Sequence, residues 1–208
     1  MKVLFFSSDN NFTSGAFRSM AKLNQMLNEE HGIETLVVLP NEGDGCRLLD
    51  EHKVQYIIIQ SYNWVVKQQS SFSKKLISEM EYQKKENKKA IEKIVELIKT
   101  FKPDLLHINT SYSYVAAEAA IITHTPVVWH LREFLEEDQG RQIFDKENGY
   151  KLIGKSDRII TISKALYKKY ENVFLKERMV TIYNGIDTDE FYKPNKSIFN
   201  GPIVKMIC

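Results

Sequence analysis

The chain has 208 residues, 43% of them hydrophobic, and its 29 Lys and Arg nearly balance 27 Asp and Glu, for a formal net charge of +2. This balance argues against a nucleic-acid-binding protein, which normally shows a strongly basic composition. Two cysteines, Cys46 and Cys208, are too few for a disulfide framework or a cysteine-rich metal site. The first apolar run, Val3–Phe6, is too short for a signal peptide or a membrane span, so we expect a cytoplasmic location.

Short apolar runs alternate along the chain with longer segments of helical periodicity. The runs predicted to be strands are Val3–Phe6, Ile33–Leu39, Val54–Ile59, Asp104–Ile108, Pro126–Trp129, Arg158–Ile162 and Met179–Tyr183. Most are continuously apolar, which is typical of strands buried on both faces of a parallel sheet. Helices are predicted at Gly15–Glu30, Asn87–Phe101, Ser113–Thr123 and Ser163–Phe174, the last two capped by their first serine. This alternation predicts an α/β fold, a Rossmann-like doubly wound parallel sheet of about seven strands.

The composition changes after Phe191. Residues 192–202 read YKPNKSIFNGP, which is typical of a linker, and residues 203–208 (IVKMIC) again look like a strand. That last run is either an edge strand of the first sheet or the opening strand of a second domain, and the second interpretation is favoured. We therefore expect a first domain over 1–191, a linker over 192–202, and the start of a truncated second domain over 203–208.

Polar residues follow several of the predicted strands, where open parallel sheets bind ligands. After the first strand, Ser14 and Gly15 open a helix whose N–H groups favour an anion, and Arg18 adds charge one turn later. After the fourth strand, Asn109 and Ser111 place an amide and a hydroxyl on one loop, as a sugar-binding surface does. A helix cap without a ligand and ordinary turn chemistry are the alternatives for these two loops.

The fifth strand leads into the best candidate for a polar site. His130 stands at its end, followed by Arg132, Glu133 and the acidic run Glu136–Asp138. An imidazole near its unperturbed pKa can donate, accept or shuttle a proton. A purely structural hydrogen-bonding histidine is the alternative.

The seventh strand ends in the turn Asn184-Gly185. The following Asp187 and Asp189 have the spacing of a DxD motif for a divalent cation. Capping of a short helical turn is the favoured interpretation of these two acids, so no metal site is predicted.

The segment Lys67–Lys102 is strongly basic. It contains ten lysines and five glutamates, a net charge of +5, together with apolar residues such as Phe72 and Met80. A solvated helix face is the usual explanation. The alternative is peripheral contact with an anionic membrane surface, which would be the inner face of a cell membrane.

Three segments, in this order and spacing, resemble glycosyltransferase family 4, a group of retaining enzymes with the GT-B architecture. The run Met179–Phe191, a strand followed by Asn-Gly-Ile-Asp and a phenylalanine, looks like the end of the family's N-terminal domain. ITISKAL at Ile160–Leu166 looks like the strand and serine-capped helix before it. WHLREFLEED at Trp129–Asp138 is similar to a polysaccharide-synthesising branch. The resemblance covers nearly the whole chain.

The resemblance implies that this chain is the N-terminal, acceptor-side half of a GT-B enzyme. Such an enzyme moves a sugar, here of the hexosyl type, from a nucleotide-sugar donor to a glycan or lipid-linked acceptor with retention of configuration. It implies that His130 lies beside the reacting sugar and Gly15 near the donor diphosphate, without a cofactor or metal. The family usually has two adjacent glycines where this chain has Ser14 and Gly15. A Glu-x7-Glu pair is expected beyond Cys208, and the isolated chain is expected to be inactive.

Three alternatives stay open at this point. A GT-B nucleotide-sugar epimerase would share the fold and need no acceptor. A flavodoxin-like binding module would be non-catalytic and complete as it stands. A single-domain, metal-dependent transferase would use Asp187 and Asp189.

Overall fold

The computed structural model describes residues 1–185, and all structural statements below concern that part. It contains nine strands and six α-helices. The strands are β1 (Lys2–Phe6), β2 (Glu34–Leu39), β3 (Tyr56–Ile58), β4 (Val65–Lys67), β5 (Leu105–Asn109), β6 (Val127–Leu131), β7 (Arg141–Ile143), β8 (Arg158–Thr161) and β9 (Met179–Thr181). The helices are α1 (Gly15–His31), α2 (Cys46–Glu51), α3 (Lys74–Phe101), α4 (Val115–Thr123), α5 (Lys146–Ile153) and α6 (Lys164–Tyr170).

Seven of the strands form one parallel sheet in the order β3-β2-β1-β5-β6-β8-β9. The chain builds outward from β1 to β3 and then returns to the other side of β1 with β5. The strand order therefore reverses between β1 and β5, which is where doubly wound sheets bind their ligands. The predicted fold class and all seven predicted strands are confirmed.

The sheet is covered on both faces, as strand β1 shows. Its residues Val3 and Phe5 pack in one apolar cluster with α1 and α2, whereas Leu4 and Phe6 pack in the other with α3 and α4. All four side chains are buried. Because successive side chains of a strand point to opposite faces, a continuous apolar run is what burial on both faces requires.

Strand β9 differs from the expectation of full burial. Met179 packs in the core, but Val180 and Ile182 are 40% and 50% exposed. One face of this edge strand is thus open to solvent in residues 1–185.

Helix α3 is twice as long as predicted. It begins at Lys74, where Ser73 accepts a hydrogen bond from the Leu76 amide at 3.2 Å, rather than at Asn87. Its buried side chains all lie from Asn87 onward, and the earlier turns are largely exposed. The apolar pattern used to predict helices comes from side chains that face a core. The first turns of α3 have no such side chains, so only the second half of the helix was predicted.

Several short elements were missed by the sequence pattern. Strands β4 and β7 have three residues each and pair antiparallel with one another, 76 residues apart at Val66 and Gln142. Helices α2 and α5 have six and eight residues. Elements this short carry too few residues for a periodic pattern, and the pairing of β4 with β7 depends on the tertiary fold.

The two serines predicted to cap helices behave differently. Ser163 accepts a hydrogen bond from the Leu166 amide at 3.1 Å and caps α6. The capping predicted for Ser113 is wrong, because the N-cap of α4 is the next residue, Tyr114. Tyr114 makes no side-chain capping bond. The difference follows from backbone geometry, since Ser163 has the extended conformation that capping needs and Tyr114 has a helical one.

This difference predicts a matched pair of mutants. Ser163→Ala should lower the free energy of unfolding by about 1 kcal/mol, because it leaves an amide of the first turn of α6 without an acceptor. Ser113→Ala should change it by less than about 0.5 kcal/mol. Urea unfolding of both variants measures the difference, and equal losses would contradict the assignment of the caps.

Candidate functional site

Arg132, just after β6, joins side chains from four parts of the fold. Its Nε donates to Asn109 Oδ1 at 2.6 Å, at the end of β5. Its Nη1 donates to Ser19 Oγ in α1 at 3.0 Å and to Asn184 Oδ1 after β9 at 2.8 Å. Its Nη2 lies 3.3 Å from His130 Nδ1. One guanidinium thus brings together residues predicted separately from three different loops.

The charge of Arg132 is retained despite its surroundings. Burial lowers the pKa of the guanidinium to about 10, and the neighbouring carboxylate of Glu133 opposes this shift. The group is therefore a cation at neutral pH. A partly desolvated cation interacts more strongly with a negative charge than one in water.

Glu133 connects the loop after β6, which contains Arg132, to the loop after β5. Its Oε1 accepts hydrogen bonds from the Ser111 amide, at 2.6 Å, and from the Ser111 hydroxyl, and its Oε2 accepts one from the Arg132 amide at 3.1 Å. Burial raises the pKa of Glu133, while the hydrogen bonds from Ser111 oppose the shift. Since its acceptor oxygens are taken up within the protein, Glu133 orients Arg132 and Ser111.

His130 lies in a buried pair of histidines. Its Nδ1 is 3.3 Å from Nε2 of His107, and the two rings stack with centroids 5.4 Å apart. Only 6% of His130 and 7% of His107 is exposed. Burial, reinforced by the charge of Arg132, lowers the pKa of His130 to about 2 and that of His107 to about 3. The expectation of an imidazole near its unperturbed pKa is therefore wrong, because burial and the guanidinium of Arg132 hold the pKa of His130 far below that value.

The loop after β1 lies on the other side of the switch point. Ser14 caps α1 by accepting from the Phe17 amide at 3.3 Å, and it donates to Asp9 Oδ2 at 3.1 Å. Burial raises the pKa of Asp9, and the bond from Ser14 opposes this. Asn109 Nδ2 donates to the Ala16 carbonyl at 3.2 Å and so ties this loop to the Arg132 cluster.

Gly15 starts α1 with open space around it. A Cβ added to this residue would meet nothing within 4 Å, and its φ is not in the left-handed region. The packing of residues 1–185 therefore does not require glycine here. An approaching ligand is one reason for a glycine at such a position.

Arg18 is not part of this cluster. Its side chain is exposed, and its guanidinium lies 5.6 Å from the ring centroid of Phe12. The guanidinium of Arg47 lies 5.4 Å from the same centroid. Within residues 1–185 the structure shows no hydrogen bond from the Arg18 side chain to the other predicted site residues; only its amide donates, to the Ser14 carbonyl at 2.9 Å. The next residue of α1, Ser19, makes the contact with Arg132 instead.

The acidic residues that follow Glu133 pair with lysines outside the Arg132 cluster. Lys169 lies 2.6 Å from Glu136 and 2.7 Å from Glu137, and Lys146 lies 2.8 Å from Glu136. Burial acts to raise the pKa of Glu136, but the bonds from the two lysines outweigh it and lower the pKa to about 2. These glutamates tie the loop after β6 to α5 and α6.

Sequence reasoning missed His107. This residue had a signal, because it stands two residues before Asn109 in β5 and so shares its face. Thr110 belongs to the polar loop predicted after β5, but its backbone conformation was not predictable: its φ is +82°, a strained value for a β-branched residue. Its amide donates to the His130 carbonyl at 2.9 Å, and its carbonyl accepts from Trp129 Nε1 at 2.8 Å. Strained backbone held in this way is frequent at ligand sites.

One groove of residues 1–185 lies apart from the Arg132 cluster. Its volume is about 1150 Å³, and it runs between α3, α4 and α5 with Trp64, Met80, Tyr114 and Tyr150 among its lining residues. Trp64 contacts both regions, because its Nε1 donates to the Ser111 carbonyl at 2.7 Å. The polar chemistry, however, is concentrated at the carboxyl ends of β1, β5 and β6.

Within residues 1–185, no three His, Cys, Asp or Glu side chains are grouped as a metal site would need. Asp187 and Asp189, the linker at 192–202 and the last run at 203–208 lie outside the described residues. Among the helices of the described part, none combines the length and the apolar character needed to cross a membrane.

Comparison with solved structures gives the same fold. HepE of Anabaena, solved with UDP-glucose, superposes with a TM-score of 0.67 at 20% identity, over 93% of this chain and 47% of its own. MurG of Acinetobacter baumannii gives a TM-score of 0.59 at 14% identity, over 94% and 50%. The lipopolysaccharide outer core galactosyltransferase WaaB gives 0.63 at 13% identity, over 89% and 46%. The chain thus spans about half the length of these proteins.

Among curated protein sequences, none matches this chain significantly. A family model does match, over residues 13–190, which is most of the chain. The matched region contains six of the seven strands of the sheet, all except β1, and every residue bonded to Arg132. This chain belongs to Glycosyltransferase Family 4.

Proposed function

We propose that this chain forms the acceptor-side half of a retaining glycosyltransferase that uses a nucleotide-sugar donor and a glycan or lipid-linked acceptor. Its donor-binding half would follow residue 191. The observation that carries the proposal is the cluster around Arg132, which joins Asn109, His130 and Asn184 at the ends of neighbouring strands. HepE, with the same fold, is solved with UDP-glucose.

The groups around the cluster suit a sugar and a leaving diphosphate. In the transition state of sugar transfer, positive charge develops on the sugar and negative charge on the departing phosphate. Cations and oriented N–H groups stabilise the negative charge. On this proposal, the N-terminus of α1 at Gly15 faces the diphosphate, while Asn109, Ser111 and Asn184 bind hydroxyls. The departing diphosphate takes the proton of the acceptor hydroxyl.

The test is a transfer assay on the protein extended beyond Cys208, with residues 1–208 alone as the matched control. A panel of nucleotide sugars is offered with glycan and lipid-linked acceptors, and release of the nucleoside diphosphate is followed. The longer protein should transfer sugar, the anomeric configuration of the product should be that of the donor, and residues 1–208 should give no turnover. Transfer by residues 1–208 alone would refute a site divided between two halves.

Gly15→Ala tests the approach of the diphosphate. Because the added methyl group meets no protein atom, the midpoint of thermal unfolding should be unchanged or slightly higher. Transfer should fall about tenfold, the equivalent of roughly 1.4 kcal/mol, through weaker binding of the donor. Gly43→Ala is the contrasting variant, since its Cβ would lie 2.0 Å from the Asn10 carbonyl and should damage folding itself. Unchanged transfer by Gly15→Ala would place the donor elsewhere.

A nucleotide-sugar epimerase is the second candidate, because a putative UDP-N-acetylglucosamine 2-epimerase from Listeria monocytogenes shares the fold with a TM-score of 0.52 at 17% identity. The two functions differ in their need for an acceptor. Incubation with the nucleotide sugar alone would yield an isomerised sugar nucleotide from an epimerase and leave the donor unchanged with a transferase.

Peripheral membrane contact is a further part of the proposal. The first turns of α3 expose Ile77 and Tyr82, 39% and 58%, next to lysines 74, 75, 84 and 85, which are also exposed. This combination suits the surface of an anionic bilayer. The chain should co-sediment with vesicles containing phosphatidylglycerol at low salt, and replacement of the four lysines by glutamine should abolish this. Equal sedimentation of both proteins would exclude contact through α3.

A further inference from the structure

The contacts of His130 determine which of its ring nitrogens carries the proton. Nδ1 faces Nη2 of Arg132 at 3.3 Å. A guanidinium has only donors, so a protonated Nδ1 would set two N–H groups against each other. Because the ring is neutral, Nδ1 is therefore the acceptor and Nε2 carries the proton.

The same reasoning fixes the proton of His107. Its Nε2 lies 3.3 Å from the same Nδ1 of His130. If this Nε2 were unprotonated, two lone pairs would face each other in a buried site, so it carries a proton and donates. His107 is itself fixed by its ring contact with Phe5, at 4.5 Å between centroids.

The surroundings favour this neutral arrangement over a charged one. The charged group that faces the pair is the guanidinium of Arg132, which adds to burial in opposing protonation. Glu133 bonds to Ser111 and to the amide of Arg132, and the structure shows no carboxylate bonded to either ring within residues 1–185.

The protonated Nε2 of His130 is left without a partner. It is buried and has no hydrogen bond in residues 1–185. Buried donors are nearly always satisfied, and an unsatisfied one costs about 1–3 kcal/mol. A ligand atom that accepts a hydrogen bond would remove this cost.

We propose that His107 is a positioning residue which, together with Arg132, holds His130 as the neutral Nε2–H tautomer, so that His130 offers a fixed hydrogen-bond donor to an oxygen atom of the substrate. His130 then neither accepts nor releases a proton during the reaction. That the accepting oxygen belongs to a sugar rests on the proposed function, whereas the tautomer does not.

The test is the tautomer itself, measured on ¹⁵N-labelled residues 1–208 by long-range ¹H–¹⁵N correlation of the imidazole rings. His107 and His130 should each show one tautomer with a protonated Nε2, unchanged between pH 7.5 and pH 5.5. The exposed His31 and His124 are internal references that exchange between tautomers. A proton on Nδ1 of His130, or on both of its nitrogens at pH 7, would overturn the proposal.

Two variants separate positioning from packing. His107→Phe keeps a ring beside Phe5 but removes the donor, so His130 should show a measurable Nδ1–H population. His107→Gln retains an N–H group near the position of Nε2 and should restore the single tautomer. A His130 tautomer as fixed in His107→Phe as in the unaltered chain would show that His107 has no positioning role. If His107→Phe fails to fold, the spectra of the unaltered chain and of His107→Gln still decide. Absence of sugar transfer by the protein extended beyond Cys208, with the expected tautomers present in residues 1–208, would refute the proposed function alone.

Discussion

Arg132→Met is expected to lower the free energy of unfolding by about 3 kcal/mol and to lower transfer by at least 100-fold, in the range found when a preorganised electrostatic contact is removed. The loss of stability comes from Asn109 Oδ1, Ser19 Oγ and Asn184 Oδ1, which all lose their bonds to the guanidinium. The loss of transfer comes from the missing cation and from the freed loop after β9. Urea unfolding of residues 1–208 and the transfer assay on the extended protein measure the two effects.

Arg132→Lys separates the charge from the geometry. A lysine keeps the cation, but its three donors share one nitrogen and cannot reproduce the planar, spread donors of the guanidinium. We therefore expect most of the loss of transfer to remain, with a smaller loss of stability. Arg47→Lys is the matched control, since Arg47 is exposed and forms its ion pair within residues 1–185 with Asp44 at 3.5 Å. If Arg132→Lys were as active as the unaltered protein, the network around Arg132 would not be what the reaction requires.

The fold was predictable because its information is local. Each run such as Val3–Phe6 is short, apolar and followed by a helical segment, and this order is enough to predict a doubly wound sheet. The short strands β4 and β7 were not predictable, because their pairing joins residues 76 positions apart. The first turns of α3 were not predicted for a different reason: they are helical without being packed against a core.

The site was predictable to the extent that it follows the ends of strands. Asn109, His130, Arg132 and Asn184 each stand just beyond a predicted strand, and parallel strands place their carboxyl ends at one edge. The contacts between them could not be read from the sequence. Arg18 and Ser19 are neighbours on α1, and only the direction of the helix decides that Ser19 meets Arg132 while Arg18 points to solvent.

The chemical state of His130 shows why position alone is insufficient. The sequence predicts an imidazole at a strand end, and an exposed one would titrate near neutrality. In the fold this imidazole is buried beside a guanidinium and a second imidazole. Burial and both neighbouring groups favour its neutral form. The same residue type thus changes from a candidate proton shuttle to a hydrogen-bond donor through its neighbours.

This buried pair predicts a strong loss of stability in mild acid. The folded pKa values of His130 and His107, about 2 and about 3, lie below the value of 6.5 for an exposed histidine. Below pH 6.5 the unfolded chain therefore binds more protons than the folded one, and stability falls as the pH is lowered. At roughly 1.4 kcal/mol per pH unit for each ring, the pair should cost about 5 kcal/mol between pH 6.5 and pH 4.5, since each ring of the unfolded chain is already half protonated at pH 6.5.

Carboxyl groups with raised pKa values, such as those of Asp9 and Glu133, act in the opposite direction, so the contribution of the histidines is best isolated by comparing variants. His107→Phe removes one titrating ring and should lose about half as much stability as the unaltered chain over the same interval. His31→Gln, which removes an exposed histidine, is the control variant. Urea unfolding at several pH values provides the comparison. A pH dependence shared by all three proteins would mean that His107 becomes protonated in the folded state, and the network that keeps His130 neutral would then fail in mild acid.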